Sequence, residues 1–198
     1  TIIYTSGSTG EPKGVMSTHY NVISAARSIT QYIKNTHDDI IFNALPLSFD
    51  YGLYQIIMGF MFGCTILLEK SFVYPYKALQ QIVNEKVTGF PVVPTMMSLL
   101  FQMDELGDFD FSNLRYISNT AAALPEVYIQ KFNRLFPHVK IFSMYGLTEC
   151  KRVAYLPPED VLKKPGSVGI PMPNEDVMIL DKNGDEVATG EVGELVIR

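Results

Sequence analysis

Short apolar runs alternate with segments of helical periodicity along most of this 198-residue chain. The runs predict strands at 2–5, 40–45, 65–69, 89–93, 114–118 and 139–144, and the periodic segments predict helices at 20–33, 50–62, 76–85, 94–103 and 125–136. In the first helix, the apolar residues at 22, 23, 26, 29 and 33 share one face. Such alternation is typical of parallel βαβ units. We therefore expect an α/β fold, with a mostly parallel sheet flanked by helices in three layers.

The pattern changes near Gly166 to turn-rich sequence and short strands, with a hairpin predicted at Asn183 and Gly184. We therefore predict an α/β nucleotide-binding core at 1–165 and the beginning of a small β subdomain at 166–198. The chain starts on a predicted strand without a methionine and ends within another predicted strand. We interpret it as a fragment of a larger polypeptide.

Composition narrows the choice of partners and compartment. The apolar stretch 56–68 is shorter than the roughly 20 residues that a membrane-spanning helix needs, so it predicts helix, turn and strand rather than a membrane span. A net charge of −5 with scattered Lys and Arg residues argues against nucleic acid as a partner. Cys64 and Cys150 lack the spacing of a zinc site or a disulfide framework, so the expected compartment is the cytoplasm.

The segment TSGSTGEPKG (5–14) directly follows the first predicted strand. Ligands of open parallel sheets bind beyond the carboxyl ends of the strands, where such loops lie. Its glycines allow backbone N–H groups to approach an anion, its hydroxyls donate hydrogen bonds, and Lys13 adds a positive charge. The segment fits a polyphosphate, although Gly14 after Lys13 departs from the Walker pattern. The alternative is an ordinary surface turn rich in Gly and Ser.

The same segment resembles the phosphate loop of the adenylate-forming (AMP-binding) superfamily, which includes acyl-CoA synthetases, luciferases and amino-acid-adenylating domains. Further matches follow in the expected order: PLSFDYGL (46–53), VPT (93–95), NTAAALP (119–125), MYGLTE (144–149), GSVGIPMP (166–173) and GEVGELVIR (190–198). The resemblance implies a two-step reaction. A carboxylate attacks the α-phosphorus of ATP and expels pyrophosphate, and a thiol then takes the acyl group from the acyl-adenylate.

The resemblance also assigns roles to residues. The β- and γ-phosphates would be bound by Thr5, Ser6, Gly7, Ser8, Thr9, Gly10 and Lys13. The adenine and α-phosphate side would be lined by Thr120, Ala121, Ala122 and Ala123. Tyr145 would stack on adenine beside Gly146, Thr148 would contact the α-phosphate, and Glu149 would bind Mg²⁺ together with phosphate and water oxygens.

Lys13, Thr148 and Glu149 are therefore the predicted catalytic residues. Taken without the motif, Tyr145 is more typical of a core aromatic residue at a strand end. Glu149, taken in the same way, is more typical of a solvated or helix-capping acid.

The predicted substrate pocket contains Phe49, Asp50 and Asn119. By resemblance, Phe49 stands where many acyl-CoA synthetases carry a histidine, and Asp50 matches the acid that holds the ammonium in amino-acid-activating relatives. Asp50 equally fits the cap of the helix predicted to begin there. Lys151 and Arg152 either favour an acidic or carrier-linked acyl group or face solvent.

The leading hypothesis is therefore part of an AMP-forming acyl-CoA synthetase, which uses ATP, Mg²⁺, a small carboxylic acid and coenzyme A. One alternative is an amino-acid-adenylating domain that loads a phosphopantetheine carrier protein, and another is a non-catalytic nucleotide-binding module. Family members also use a ribose-binding aspartate and a lysine of a mobile C-terminal domain, which lie in later motifs. We therefore expect this chain by itself to be inactive or nearly so.

Overall fold

The computed structural model describes residues 1–5 and 10–198 of the chain. Its elements are β1 (Ile2–Thr5), β2 (Lys13–Met16), α1 (His19–Ile33), β3 (Ile40–Asn43), α2 (Asp50–Phe62), β4 (Thr65–Leu68), α3 (Pro75–Asn84), β5 (Gly89–Val92), α4 (Pro94–Leu100), a 3-10 helix (Asp104–Asp108), β6 (Tyr116–Asn119), α5 (Glu126–Leu135), β7 (Lys140–Tyr145), β8 (Ala154–Leu156), β9 (Ile170–Pro171), β10 (Val177–Leu180) and β11 (Glu194–Ile197). The predicted helices and strands are confirmed, and most of their ends lie within two residues of the prediction.

Seven strands form the central sheet in the order β4-β3-β5-β6-β7-β8-β9. The five strands β4, β3, β5, β6 and β7 pair with one another in parallel, and β8 and β9 are antiparallel additions beyond β7. Strand side chains such as Phe42, Val92 and Ile117 are fully buried and form one core with helix side chains that include Leu79 and Met97. The mostly parallel sheet flanked by helices confirms the predicted α/β class.

The first strand does not join this sheet, contrary to the expectation of a parallel βαβ unit. Strand β1 pairs with β2 as an antiparallel hairpin, in which Ile2 lies opposite Met16 and Thr5 lies opposite Lys13. A short loop is long enough to connect antiparallel strands, whereas a parallel pair needs a crossover of a dozen or more residues. Thr5 and Lys13 of the phosphate-loop segment therefore form the last pair of a separate two-stranded sheet.

The apolar stretch 56–68 has the predicted sequence of elements. Helix α2 ends at Phe62, the chain turns at Gly63, and β4 begins at Thr65. Among the described residues, none of the helices combines the length and the apolar character that crossing a bilayer requires.

Residues 166–198 are divided between two sheets. Strand β9 lies at the edge of the central sheet, whereas β10 and β11 form a separate antiparallel pair. The chain turns at Asn183 and Gly184, where φ of Gly184 is 88° and the carboxylate of Asp181 accepts hydrogen bonds from backbone N–H groups. The predicted turn is confirmed, because an antiparallel bridge joins Leu180 to Glu186 across it, but the hairpin is minimal since the ladder partner of β10 is β11. The subdomain boundary near 166 stays a prediction.

Candidate active site

A cavity of about 390 Å³ lies at the carboxyl ends of the neighbouring parallel strands β6 and β7. We call it the β6–β7 cavity. It is lined by Thr120–Leu124, Ser143–Leu147 and Pro165–Val168. Six of the predicted cofactor-binding residues therefore surround one space: Thr120, Ala121, Ala122, Ala123, Tyr145 and Gly146. Residues 166–168 belong to the matched segment GSVGIPMP but had no assigned role.

The loop after β6 is held in place by the last residue of that strand. Asn119 is fully buried, and its Nδ2 donates to the carbonyl of Ala122 over 2.9 Å. Ala121 adopts a left-handed backbone conformation with φ of 73°, which is unusual for a residue with a Cβ atom. The Asn119 side chain therefore fixes the conformation of the loop through this hydrogen bond. Its Oδ1 has no hydrogen-bond partner within the described part of the chain.

The turn from Tyr145 to Arg152 is tightly packed on itself. The amide of Val153 donates to the carbonyl of Tyr145 over 2.9 Å, and the amide of Lys151 donates to the carbonyl of Leu147 over 2.6 Å. A Cβ atom at Gly146 would collide with the carbonyl of Lys151 and lie 2.8 Å from the Cα of Arg152. Glycine is therefore required at position 146 by the close approach of the backbone rather than by an unusual φ.

Two predicted catalytic residues lie on this turn, outside the β6–β7 cavity. Glu149 is exposed, and Thr148 is half-buried. Glu149 lines a second cavity of about 260 Å³ with Ser17, Lys151 and Glu175 among its neighbours. An exposed carboxylate is free to bind a ligand, and oxygen ligands of this kind suit Mg²⁺. Burial raises the pKa of the neighbouring Glu175 to about 7.

The phosphate-loop residues are only partly described. Thr5 is half-buried, Lys13 is exposed, and the two residues form the last pair of the β1–β2 hairpin. Gly10 is exposed and has φ of 90°. The predictions for Ser6, Gly7, Ser8 and Thr9 lie outside the described residues.

Asp50 is not the cap of α2, so that alternative is wrong. The helix begins at Asp50 itself, its N-cap position is Phe49, and no side chain makes a capping hydrogen bond there. Asp50 instead lies 3.6 Å from Nη1 of Arg152, and its side chain is only 16% exposed. Phe49 is 63% exposed. The third predicted pocket residue, Asn119, is buried below the loop, and none of the three predicted pocket residues lines either of the two cavities.

Lys151 and Arg152 do not face solvent, which was one of the two alternatives for them. Their exposed fractions are 4% and 2%. Nζ of Lys151 donates to the carbonyl of Thr148, and Nη1 of Arg152 donates to the carbonyl of Lys151. Burial lowers the pKa of the Lys151 ammonium. Asp50 and Glu149 both favour the charged form of Lys151, so the two buried cations lie near two carboxylates.

Tyr51 connects these parts and was missed from the sequence. Its hydroxyl donates to the backbone carbonyl of Ser118 over 2.6 Å, and the guanidinium of Arg152 lies 4.8 Å from the centre of its ring. The only sequence signal was its position inside the matched segment PLSFDYGL, next to Asp50.

Comparison with known proteins decides the family. The family model for AMP-binding enzymes matches residues 1–198. The chain belongs to the AMP-binding enzyme family. The resemblance inferred from the motifs is thereby confirmed, and the similar proteins include long-chain-fatty-acid–CoA ligases, an indigoidine synthase and a plipastatin synthase subunit.

Three members illustrate this range. The chain is 30% identical to delta-poly-L-ornithine synthetase of Acinetobacter baumannii over 99% of its own length and 14% of that protein. It is 33% identical to the long-chain-fatty-acid–CoA ligase FadD13 of Mycobacterium tuberculosis over 100% of its own length and 39% of that protein. A structure of VinN in complex with L-aspartate matches with a TM-score of 0.84 and 34% identity, over 99% of this chain and 48% of VinN. The chain thus spans less than half of each relative.

Proposed function

We propose that the chain is the nucleotide-binding part of a ligase that activates a carboxylic acid with ATP. The acid attacks the α-phosphorus, pyrophosphate leaves, and the resulting acyl-adenylate then gives its acyl group to a thiol. The observation that carries this proposal is the β6–β7 cavity, where two motif segments that are far apart in sequence lie around one space. Its volume falls within the range of about 300–1,000 Å³ typical of small-molecule sites.

In this proposal the residues present fit ATP and Mg²⁺. Tyr145 offers a ring and Ala121–Ala123 offer small side chains and backbone to a flat base, while Thr148 and Glu149 follow on the same turn. Mg²⁺, when bound, would neutralise phosphate charge, and Glu149 would supply its protein oxygen ligand. Thr5 and Lys13 would reach the outer phosphates from the tip of the hairpin. The work of the chain is to position the reactants and stabilise developing charge.

For the acid, the buried charges favour an amino acid that carries a second carboxylate. Asp50 is available to an ammonium because it caps no helix and, within the described part of the chain, its one ion pair is the 3.6 Å contact with Arg152. Lys151 lines the second cavity, where its ammonium would attract an anionic group of the substrate. VinN, which matches over nearly the whole chain, has been solved with L-aspartate.

For the thiol, coenzyme A and a phosphopantetheine carrier are the two candidates. Coenzyme A is the leading one on the motif resemblance, and relatives named as CoA ligases support it. A carrier protein fits the amino-acid assignment, which the Asp50, Lys151 and Arg152 cluster supports.

Exchange of labelled pyrophosphate into ATP tests the activation step, using the complete natural protein that contains this chain. We expect L-aspartate to drive exchange faster than succinate, which lacks the ammonium, and faster than alanine, which lacks the second carboxylate. A fatty or aryl acid that drives exchange fastest would overturn the amino-acid assignment. Absence of exchange with every acid would overturn the proposed function.

Substitution of Glu149 tests its role in this site. We expect Glu149→Gln to lower the exchange rate on the order of 100-fold, as for loss of a group that stabilises transition-state charge. Glu105→Gln, which changes an exposed acid on the 3-10 helix, is the matched control and should leave the rate unchanged. Equal exchange rates for the two variants would show that Glu149 has no role in the activation step.

A further inference from the structure

We propose that Tyr51 and Arg152 are positioning residues that hold the two nucleotide-site segments, the loop at 119–124 and the turn at 145–152, in one arrangement. The inference rests on the proposed function and adds residues to its site. Neither side chain lines the β6–β7 cavity, so neither is offered as a group that contacts the nucleotide.

The first connection runs from α2 to the loop after β6. The Tyr51 hydroxyl donates to the carbonyl of Ser118 over 2.6 Å and lies 2.9 Å from the Ser118 hydroxyl. The next residue, Asn119, donates in turn to the carbonyl of Ala122. Tyr51 and Ser118 are 4% and 1% exposed, so water does not readily replace this contact. The Tyr51 hydroxyl therefore fixes the strand end from which the loop starts.

The second connection runs from Tyr51 to the turn that carries Thr148 and Glu149. The guanidinium of Arg152 lies over the Tyr51 ring at 4.8 Å, a geometry typical of a cation–π contact. Arg152 donates to the Lys151 carbonyl, and Lys151 donates to the Thr148 carbonyl. The turn is therefore attached to the same tyrosine as the loop.

The inference depends on Tyr51 remaining a hydrogen-bond donor. Burial raises the pKa of Tyr51 to about 12, and the hydrogen bond with Ser118 and the charge of Arg152 only partly offset this effect. The hydroxyl stays protonated at physiological pH. Its hydrogen bond and its ring are therefore both present under the conditions of catalysis.

Tyr51→Phe tests the first connection, because it removes the hydroxyl and keeps the ring. In the complete natural protein, we expect the KM for ATP in pyrophosphate exchange to rise about 3- to 10-fold, the effect of one buried hydrogen bond. The kcat and the KM for the acid should change much less. A merely structural role would instead lower thermal stability and leave the KM for ATP unchanged.

Tyr54→Phe is the matched control on the same helix. Tyr54 is 1% exposed, and its hydroxyl has no hydrogen-bond partner among the described residues. This substitution should leave the KM for ATP unchanged. If Tyr54→Phe raised that KM as much as Tyr51→Phe did, the specific role of Tyr51 would be disproved.

Arg152→Lys tests the second connection and keeps the proposal falsifiable if Tyr51→Phe does not fold. Lysine keeps the positive charge but loses the planar group that stacks on the ring. We expect the Mg²⁺ concentration for half-maximal exchange to rise about 3- to 10-fold. Unchanged dependence on both ATP and Mg²⁺ would overturn the inference, whereas absence of exchange in the unsubstituted protein would overturn the proposed function instead.

Discussion

Ala121 has a left-handed backbone conformation, with φ of 73°, in the loop that lines the β6–β7 cavity. This conformation costs a residue with a Cβ atom about 1–2 kcal/mol, and glycine avoids that cost but loses about 0.5–1 kcal/mol through chain entropy. We therefore expect Ala121→Gly to leave the free energy of unfolding unchanged or to raise it by up to about 1 kcal/mol. Urea unfolding monitored by circular dichroism measures this difference.

Ala122→Gly provides the control for that prediction. Ala122 is exposed like Ala121, but it has no positive φ, so glycine there brings only the entropic loss of about 0.5–1 kcal/mol. The two substitutions should thus differ in sign or clearly in size. Equal destabilisation by both would show that strain at Ala121 is negligible.

At the scale of single residues, the motifs predicted where a residue lies in the fold better than they predicted its burial and its contacts. The clustering of Thr120 and Tyr145 at one cavity followed from their places after neighbouring strands. The burial of Arg152 could not be foreseen, because arginine is mostly exposed and its partners, Asp50 and Tyr51, are far away in sequence. Contacts between distant segments depend on the tertiary fold rather than on local pattern.

At the scale of elements, the start of α1 is the clearest case of a local device. Thr18 is its N-cap residue, the Thr18 hydroxyl accepts from the amide of Asn21 over 3.2 Å, and the Asn21 side chain accepts from the amide of Thr18 over 3.0 Å. We expect Thr18→Ala to lower the free energy of unfolding by about 1 kcal/mol, because it leaves the Asn21 amide without this acceptor. Thr18→Ser keeps the hydroxyl and should stay close to the original stability. The denaturant midpoints of Thr18→Ala and Thr18→Ser measure this difference. An equal loss of stability in both variants would contradict a capping role for Thr18.

The elements that sequence pattern predicted are those with long periodic or apolar runs. Helix α2 was predicted with both ends correct, since its apolar segment is bounded by Asp50 and by the Gly63 turn. Strands β2, β8 and β9 were missed because they are only two to four residues long. Their hydrogen-bond partners define them, and those partners lie outside their own sequence.

At the scale of the whole molecule, one buried carboxylate connects neighbouring strands at the end of the sheet opposite the candidate site. Asp39 precedes β3 and is 2% exposed. It accepts two hydrogen bonds from Nη2 of Arg115 at 2.8 Å, one from the Thr88 hydroxyl at 2.7 Å and one from the amide of Thr36 at 2.9 Å. Thr88 and Arg115 precede β5 and β6, so the contact joins the starts of three strands.

Asp39 therefore makes stability depend on pH in acid. Burial by itself would raise the pKa of Asp39, but the hydrogen bonds from Thr36, Arg115, Thr88 and Asn35 outweigh it and hold the pKa below its ordinary value. A carboxyl whose pKa is lower in the folded state contributes its full stability above the unfolded pKa of about 3.9, and that contribution is lost as pH falls through the lower folded value.

Asp39→Asn should remove that contribution and flatten stability below about pH 4. At neutral pH we expect a loss of about 2–3 kcal/mol, less than for a fully buried pair because the Arg115 side chain is 40% exposed. In a chain of this size that corresponds to a fall in Tm of about 5–10 °C. Asp38→Asn is the matched control, because the Asp38 side chain is 83% exposed and its one ion pair among the described residues is with His37, so the Tm of this variant should barely change. If thermal melts at pH 7 and pH 3 gave the same difference between Asp39→Asn and the unsubstituted chain, the folded pKa of Asp39 would not be lowered and the hydrogen bonds around it would not stabilise its charge.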